Sequence, residues 1–175
     1  MQQAARTPRT AAAEPAKGST AAGPQQTASL PKPDAKKSLP EQAFEYFLAQ
    51  GWSDHQAAGI VGNLQAECGP GLTCSIGSGG IAQWRAERVS RFRNVFGYPF
   101  HKATFQDQLA YIQWELTHPN SPWKDSGRIL KSAKDAAAAA ALFDVHYERS
   151  SGGSRGARIA NARAILKRYG ARTPS

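Results

Sequence analysis

The stretch from Ser53 to Trp84, SDHQAAGIVGNLQAECGPGLTCSIGSGGIAQW, constrains this chain more than any other. Its first half reads as a helix over Ser53–Glu67. Ser53 is an N-cap, and Gln56 three residues later completes a capping box. Ala57, Ile60, Val61 and Leu64 recur at three- and four-residue steps, which makes one face apolar. Glu67 falls three after Leu64 and seven after Ile60, on that same face, and Gly69-Pro70 ends the helix. A carboxylate is thus expected on the inner side of a helix at its last turn. Burial strips water from its charge and the negative end of the helix dipole repels it, so both disfavour the ionised form. A carboxyl held protonated near neutral pH is what a glycosidase uses to protonate a leaving oxygen. The plain alternative is a helix-end glutamate turned to solvent, the commoner fate of this residue type.

The rest of the chain is read mainly as helices. Ser38-x-x-Glu41 is a second capping box, opening a helix with Phe44, Phe47 and Leu48 on its apolar stripe and an end near Gly51. Cys68 to Gly80 is a glycine-rich loop, with room for a short hairpin inside Leu72–Ile81. Ala86–Phe96 is a helix stopped by Gly97-Tyr98-Pro99. Thr104 and Asp107 are placed as a capping pair for the next, whose inner face is Phe105, Leu109, Ile112 and Leu116. A short helix is predicted over Lys124–Lys131, an alanine-rich one over Asp135–Tyr147, and a last one over Ser154–Tyr169. The expected class is mainly α, with no repeat.

Composition matters at the ends. Met1 to Ser38 is rich in Ala, Thr, Pro, Gln and Lys and has no aromatic residue. Such a segment cannot bury enough surface to offset chain entropy, so residues 1–38 are expected to be a disordered basic tail, 39–170 the folded domain and 171–175 a short C-terminal tail. No run approaches the roughly 18 apolar residues of a membrane span, and no signal-peptide core is visible. The net charge of +9 raises nucleic acid as a partner, but no nucleic-acid motif accompanies it. Anionic wall polymers would attract the same charge. The expectation is therefore no nucleic-acid partner, and a monomer.

His55, His101, His118 and His146 show no metal-ligand spacing with one another or with Cys, so neither a metal nor another cofactor is expected. Cys68 and Cys74 are the two cysteines, and a disulfide between them is the better reading for a chain that works outside the cytoplasm.

The order and spacing of several motifs resemble the phage tail lysozyme family, a branch of the lysozyme-like superfamily related to goose-type lysozymes and lytic transglycosylases. The motifs are Gly51-Trp52-Ser53, Ala57 to Leu64, Glu67, and Gly80-Ile81-Ala82-Gln83-Trp84, with weaker matches at Gln108-Leu109, Tyr111-Ile112, Glu115-Leu116 and Tyr147-Glu148-Arg149. Cys68 departs from the small residue, usually Ser, expected after the glutamate. The resemblance covers Leu39 to Tyr169. It implies a lysozyme-like helical domain that cuts peptidoglycan at the β-1,4 bond between N-acetylmuramic acid and N-acetylglucosamine, in the periplasm or cell envelope or from a phage virion. Glu67 would be the general acid, Gln83 a hydrogen-bonding substrate residue, Trp84 and Tyr147 cleft walls, and Gly80 (with Gly79) a place where backbone approaches the sugar. A two-carboxylate glycosidase also needs a base or nucleophile across the bond. No Asp or Glu lies between Glu67 and Gln83, and the candidates elsewhere are Glu87, Asp107, Asp144 and Glu148. Hydrolysis and lytic transglycosylation by Glu67 alone both remain open, as does a non-catalytic wall-binding or secretion-accessory module.

Overall fold

The computed structural model describes residues 34–170, and the expectations for residues 1–33 and 171–175 lie outside it. Asp34 to Ser38, within the stretch expected to be a tail, form a turn against the first helix. There Lys37 pairs with Glu45 at 2.6 Å, and Gln42 donates to the Asp34 and Lys37 carbonyls.

Among the described residues there are seven α-helices and no strand: α1 (Leu39–Ala49), α2 (Asp54–Cys68), α3 (Ala86–Phe96), α4 (Phe105–Thr117), α5 (Lys124–Leu130), α6 (Ala136–Phe143) and α7 (Arg155–Tyr169). On α1 the Ser38 hydroxyl accepts from the Glu41 amide, one half of the box read there. Ser53 and Gln56 make both hydrogen bonds of a capping box on α2, and Thr104 and Asp107 do the same on α4. The loop after α2 folds as two 3₁₀ turns, Ile76–Ser78 and Gly80–Ala82, in place of a hairpin. Cys68 and Cys74 form a disulfide, tying the end of α2 to this loop.

Helix α2 is central, with every residue from Gln56 to Leu64 buried. Two glycines let its neighbours in. A Cβ at Gly62 would lie 2.5 Å from the Ala162 backbone nitrogen of α7, and one at Gly59 would lie 2.5 Å from Ala139 Cβ of α6. The core around it holds Phe44, Phe47, Ile60, Leu64, Ile112, Phe143 and Ile165. The buried face of α4 is Gln108, Leu109, Tyr111, Ile112, Glu115 and Leu116, with Phe105 at its edge. It therefore includes a wholly buried carboxylate.

The alanine-rich helix does not run regularly to Tyr147. At Asp144 it widens into a π-helical turn, Asp144–Glu148, which ends at Arg149 with a left-handed φ of 54°. Wide turns of this kind are rare and recur at functional sites. This one buries Asp144 and Tyr147 and leaves Val145 exposed. No described helix is long and apolar enough to cross a membrane.

Candidate active site

A cavity of about 580 Å³ opens where the end of α2, the second 3₁₀ turn, the start of α3 and the π turn converge. Glu67, Gln83, Arg88, Trp123, Tyr147, Glu148 and Arg149 line it, with Glu87 at its edge. The sequence reading thus has Glu67, Gln83 and Tyr147 brought together in one cleft.

Gly80 and Trp84 lie elsewhere. Trp84 is 3% exposed and packs edge-on against Phe100, below the cleft and beside a second depression. Gly80 has a φ of +66°, and a side chain there would meet Gln108 and Phe100. The close approach at this glycine is made by the protein itself, with Gln108 Oε1 accepting from the Ile81 amide at 2.9 Å. Gln83 also has a left-handed backbone, φ 47°, and its side-chain amide donates to the Gly80 carbonyl at 2.9 Å. That bond folds it back over the turn while it still faces the cleft.

Glu67 is not isolated on an apolar surface. Its carboxylate accepts a short hydrogen bond from Arg158, a buried residue of α7. The same guanidinium contacts Asp144 at 3.2 Å and donates to Asn63 Oδ1 at 3.0 Å. Asn63 in turn donates to the carbonyls of Gly59 and Ala140. Arg158 therefore ties the C-terminal end of α2 to α7 and to the π turn. A charge so placed is tolerable only because it is paired on two sides. Its position was readable in part: Arg158 precedes Ala162 by four and Ile165 by seven, on the buried stripe of α7.

The opposite wall is held from beneath by Glu115, whose side chain is fully buried. Its carboxylate accepts from Arg88 at 2.8 and 2.6 Å, from Trp84 Nε1 at 3.1 Å and from the Tyr147 hydroxyl at 2.5 Å. Burial, with the Glu115 charge adding to it, keeps the Tyr147 phenol protonated to well above its ordinary range, so Tyr147 is a donor here. The Arg88 guanidinium lies 4.6 Å from the Trp123 ring centre and 4.4 Å from that of Tyr147. Both are cation–π distances. Glu115 had entered the reading only through the weaker family match at Glu115-Leu116, standing three after Ile112 on the inner face of α4, and Arg88 had no signal of its own.

The four candidates for a second carboxylate separate cleanly. Asp107 is spent on the cap of α4. Asp144 is wholly buried, bonded to Ser150 and ion-paired with Arg155 and Arg158. Glu87 has a 77% exposed side chain and pairs with Arg91 at the rim. Glu148 is the one that enters the cleft with a buried carboxyl oxygen, and that Oε1 has no hydrogen-bond partner among the described residues. Burial, opposed by Arg88 and reinforced by the charge of Glu67, pushes its pKa up to about 8. No group of three or more His, Cys, Asp or Glu among the described residues is arranged to hold a metal ion.

A helical domain with two glutamates facing each other's field in one cleft defines a class of acid–base sites suited to glycosidic bonds. Residues 39–169 match the phage tail lysozyme family, and the chain belongs to that family. Membership carries a lysozyme-like, peptidoglycan-cleaving activity and peptidoglycan as the substrate. No curated protein and no solved structure matches the chain.

Proposed function

We propose that the protein is a muramidase that hydrolyses the β-1,4 bond between N-acetylmuramic acid and N-acetylglucosamine, with Glu67 as the general acid. The observation that carries this reading is the meeting of Glu67 and Glu148 in one cleft. Hydrolysis with two carboxylates has a use for the second, whereas transglycosylation by a single glutamate does not. Gln83 lines the cleft with its side-chain NH2 already donating to the Gly80 carbonyl and Ser78 Oγ, and the Tyr147 ring forms part of the wall. Arg85 and Arg149 line the same cleft and suit the carboxylates of a peptidoglycan strand. The chain acts on cell wall, from a virion or in the envelope.

Replacing Glu67 by Gln keeps its shape and removes the transferable proton. The expected result is a loss of at least about a hundredfold in the rate of wall clearing, with circular dichroism unchanged. Parent-rate cleavage by this variant refutes the assignment. Muropeptide masses decide the reaction: a reducing end that has gained water means hydrolysis, and a 1,6-anhydro end means transglycosylation. Zymography showing no cleared band for the parent protein would leave a wall-binding module as the reading.

A further inference from the structure

The cleft contains one carboxyl group whose situation general-acid catalysis by Glu67 does not explain. Glu148 sits at the end of the π turn with Oε1 buried and unpartnered among the described residues. A buried carboxylate oxygen without a donor is costly, whereas a protonated carboxyl in the same place is tolerable. The charged groups that act on it most are Arg88 of α3, Glu67 of α2, Arg158 of α7 and Glu115 of α4, and Arg85, Glu87 and Arg149 line the same cleft. The two arginines are already committed, Arg88 to Glu115 and Arg158 to Glu67 and Asp144. None of the cations of the cleft donates to Glu148 Oε1, and burial outweighs their attraction. Glu67 has the reverse arrangement, with a guanidinium against its carboxylate. Two acids in one cleft, one paired with a cation and one not, will share a single proton unequally.

We propose that Glu148 is the proton store of the site. In the free enzyme it holds the one proton of the Glu67–Glu148 pair, and Glu67 is its delivery group. In the reaction the Glu148 carboxyl gives its proton, by way of water in the cleft that both line, to the Glu67 carboxylate, which passes it to the glycosidic oxygen as the C–O bond breaks and that oxygen takes the bond's electron pair. A water molecule adds at the anomeric carbon and releases one proton back to the pair. One bond is cleaved, one water is consumed and the pair is restored. This rests on the assignment of Glu67 as the acid, and it adds a reason why a carboxylate held by Arg158 has a proton to give at neutral pH. It also fits the burial of Glu148 on its own, since a store has to keep its proton when solvent does not supply one, and a pKa near 8 does so.

The test is the pH profile of kcat/KM on soluble peptidoglycan for the parent and for Glu148→Gln, with folding checked by circular dichroism. The parent's alkaline limb is expected near pH 8. In Glu148→Gln that limb moves to lower pH by about one unit or more, so that the loss of kcat/KM is greatest near pH 8 and smaller towards the acid end. An unmoved alkaline limb overturns the proposal, because a merely structural Glu148 would alter stability without altering the profile. Loss of activity by the same large factor at every pH also overturns it, since Glu148 would then be the direct donor. A second readout needs no activity. The carbon-13 titration of the Glu148 carboxyl is expected to move to lower pH in Glu67→Gln, and an unchanged titration refutes the shared proton. Parent-rate cleavage by Glu67→Gln would instead sink the assignment of Glu67 and leave the Glu148 titration standing by itself.

Discussion

Glu115 offers the sharpest test of how the cleft is held. Its side chain is 0% exposed and that of its partner Arg88 is 12% exposed, so both charges sit out of water. Glu115→Leu removes the carboxylate and leaves the guanidinium buried, with the Trp84 and Tyr147 donors also stranded. Breaking a buried pair by deleting one partner costs about 3–5 kcal/mol. The two lost neutral donors add to this, though not independently, because all four hydrogen bonds converge on one group. For a domain of this size the melting midpoint is expected to fall by about 10–20 °C, read by thermal denaturation followed at 222 nm. Arg88→Met added to Glu115→Leu removes the stranded cation as well, and the double variant is expected to recover most of the loss, since a buried pair exchanged for apolar groups is often near neutral. A midpoint drop of less than about 3 °C in Glu115→Leu, or a double variant no more stable than the single, would refute the view that Arg88 depends on Glu115. Wall clearing by Glu115→Leu should fall with temperature well before the parent's does, because the Tyr147 wall loosens first.

Three other outcomes follow from packing and charge. Gly62→Ala places a methyl 2.5 Å from the Ala162 backbone nitrogen, so α2 and α7 must separate; a loss of about 2–3 kcal/mol is expected in urea denaturation. Cys68→Ser with Cys74→Ser opens a short loop, sequence separation 6, and should cost about 2 kcal/mol, while thiol titration of the denatured, unreduced parent should find no reactive thiol among the two cysteines. Glu148 has a folded pKa of about 8 against an ordinary 4.5, so the native state keeps a proton that the unfolded chain releases. Stability contributed by that proton is complete below about pH 4.5 and is lost as pH rises towards 8. Glu148→Gln should flatten this decline and be more stable than the parent near pH 8 in a series of melts, and a parallel decline in both proteins would count against the shift.

What the sequence made legible is local. Ser53 with Gln56 and Thr104 with Asp107 announce helix starts because a cap is a contact among neighbours, and both boxes are present as read. Glu67 at the end of α2 follows from the same short-range logic. Its partner does not, because Arg158 lies 91 residues away and the pairing exists only once α7 packs on α2. The same holds for Glu115, which joins α3, α4 and the π turn through side chains 27 to 32 residues distant. Trp84 illustrates a type-level ambiguity: an indole serves a cleft or a core equally well, and here its N–H found Glu115. Glu148 was visible as a candidate but not as a choice, since no periodicity signals that a helix will widen by one residue.

That widening has a consequence for how such a site can be lost. In an ordinary helix each residue advances by about 100° around the axis, and the inner face of α6, through Ala136, Ala139, Ala140 and Phe143, keeps that rhythm. The π turn breaks step, so Tyr147 and Glu148 reach the cleft from a phase that the preceding helix would not give them. Substitutions that tighten this turn to regular helix need not touch the cleft, since Val145 within it is 45% exposed. They would swing Tyr147 and Glu148 by up to about 100°, one residue's advance around the axis. A descendant of this chain could thus keep every cleft side chain and still lose its chemistry, through a change in the winding of one turn.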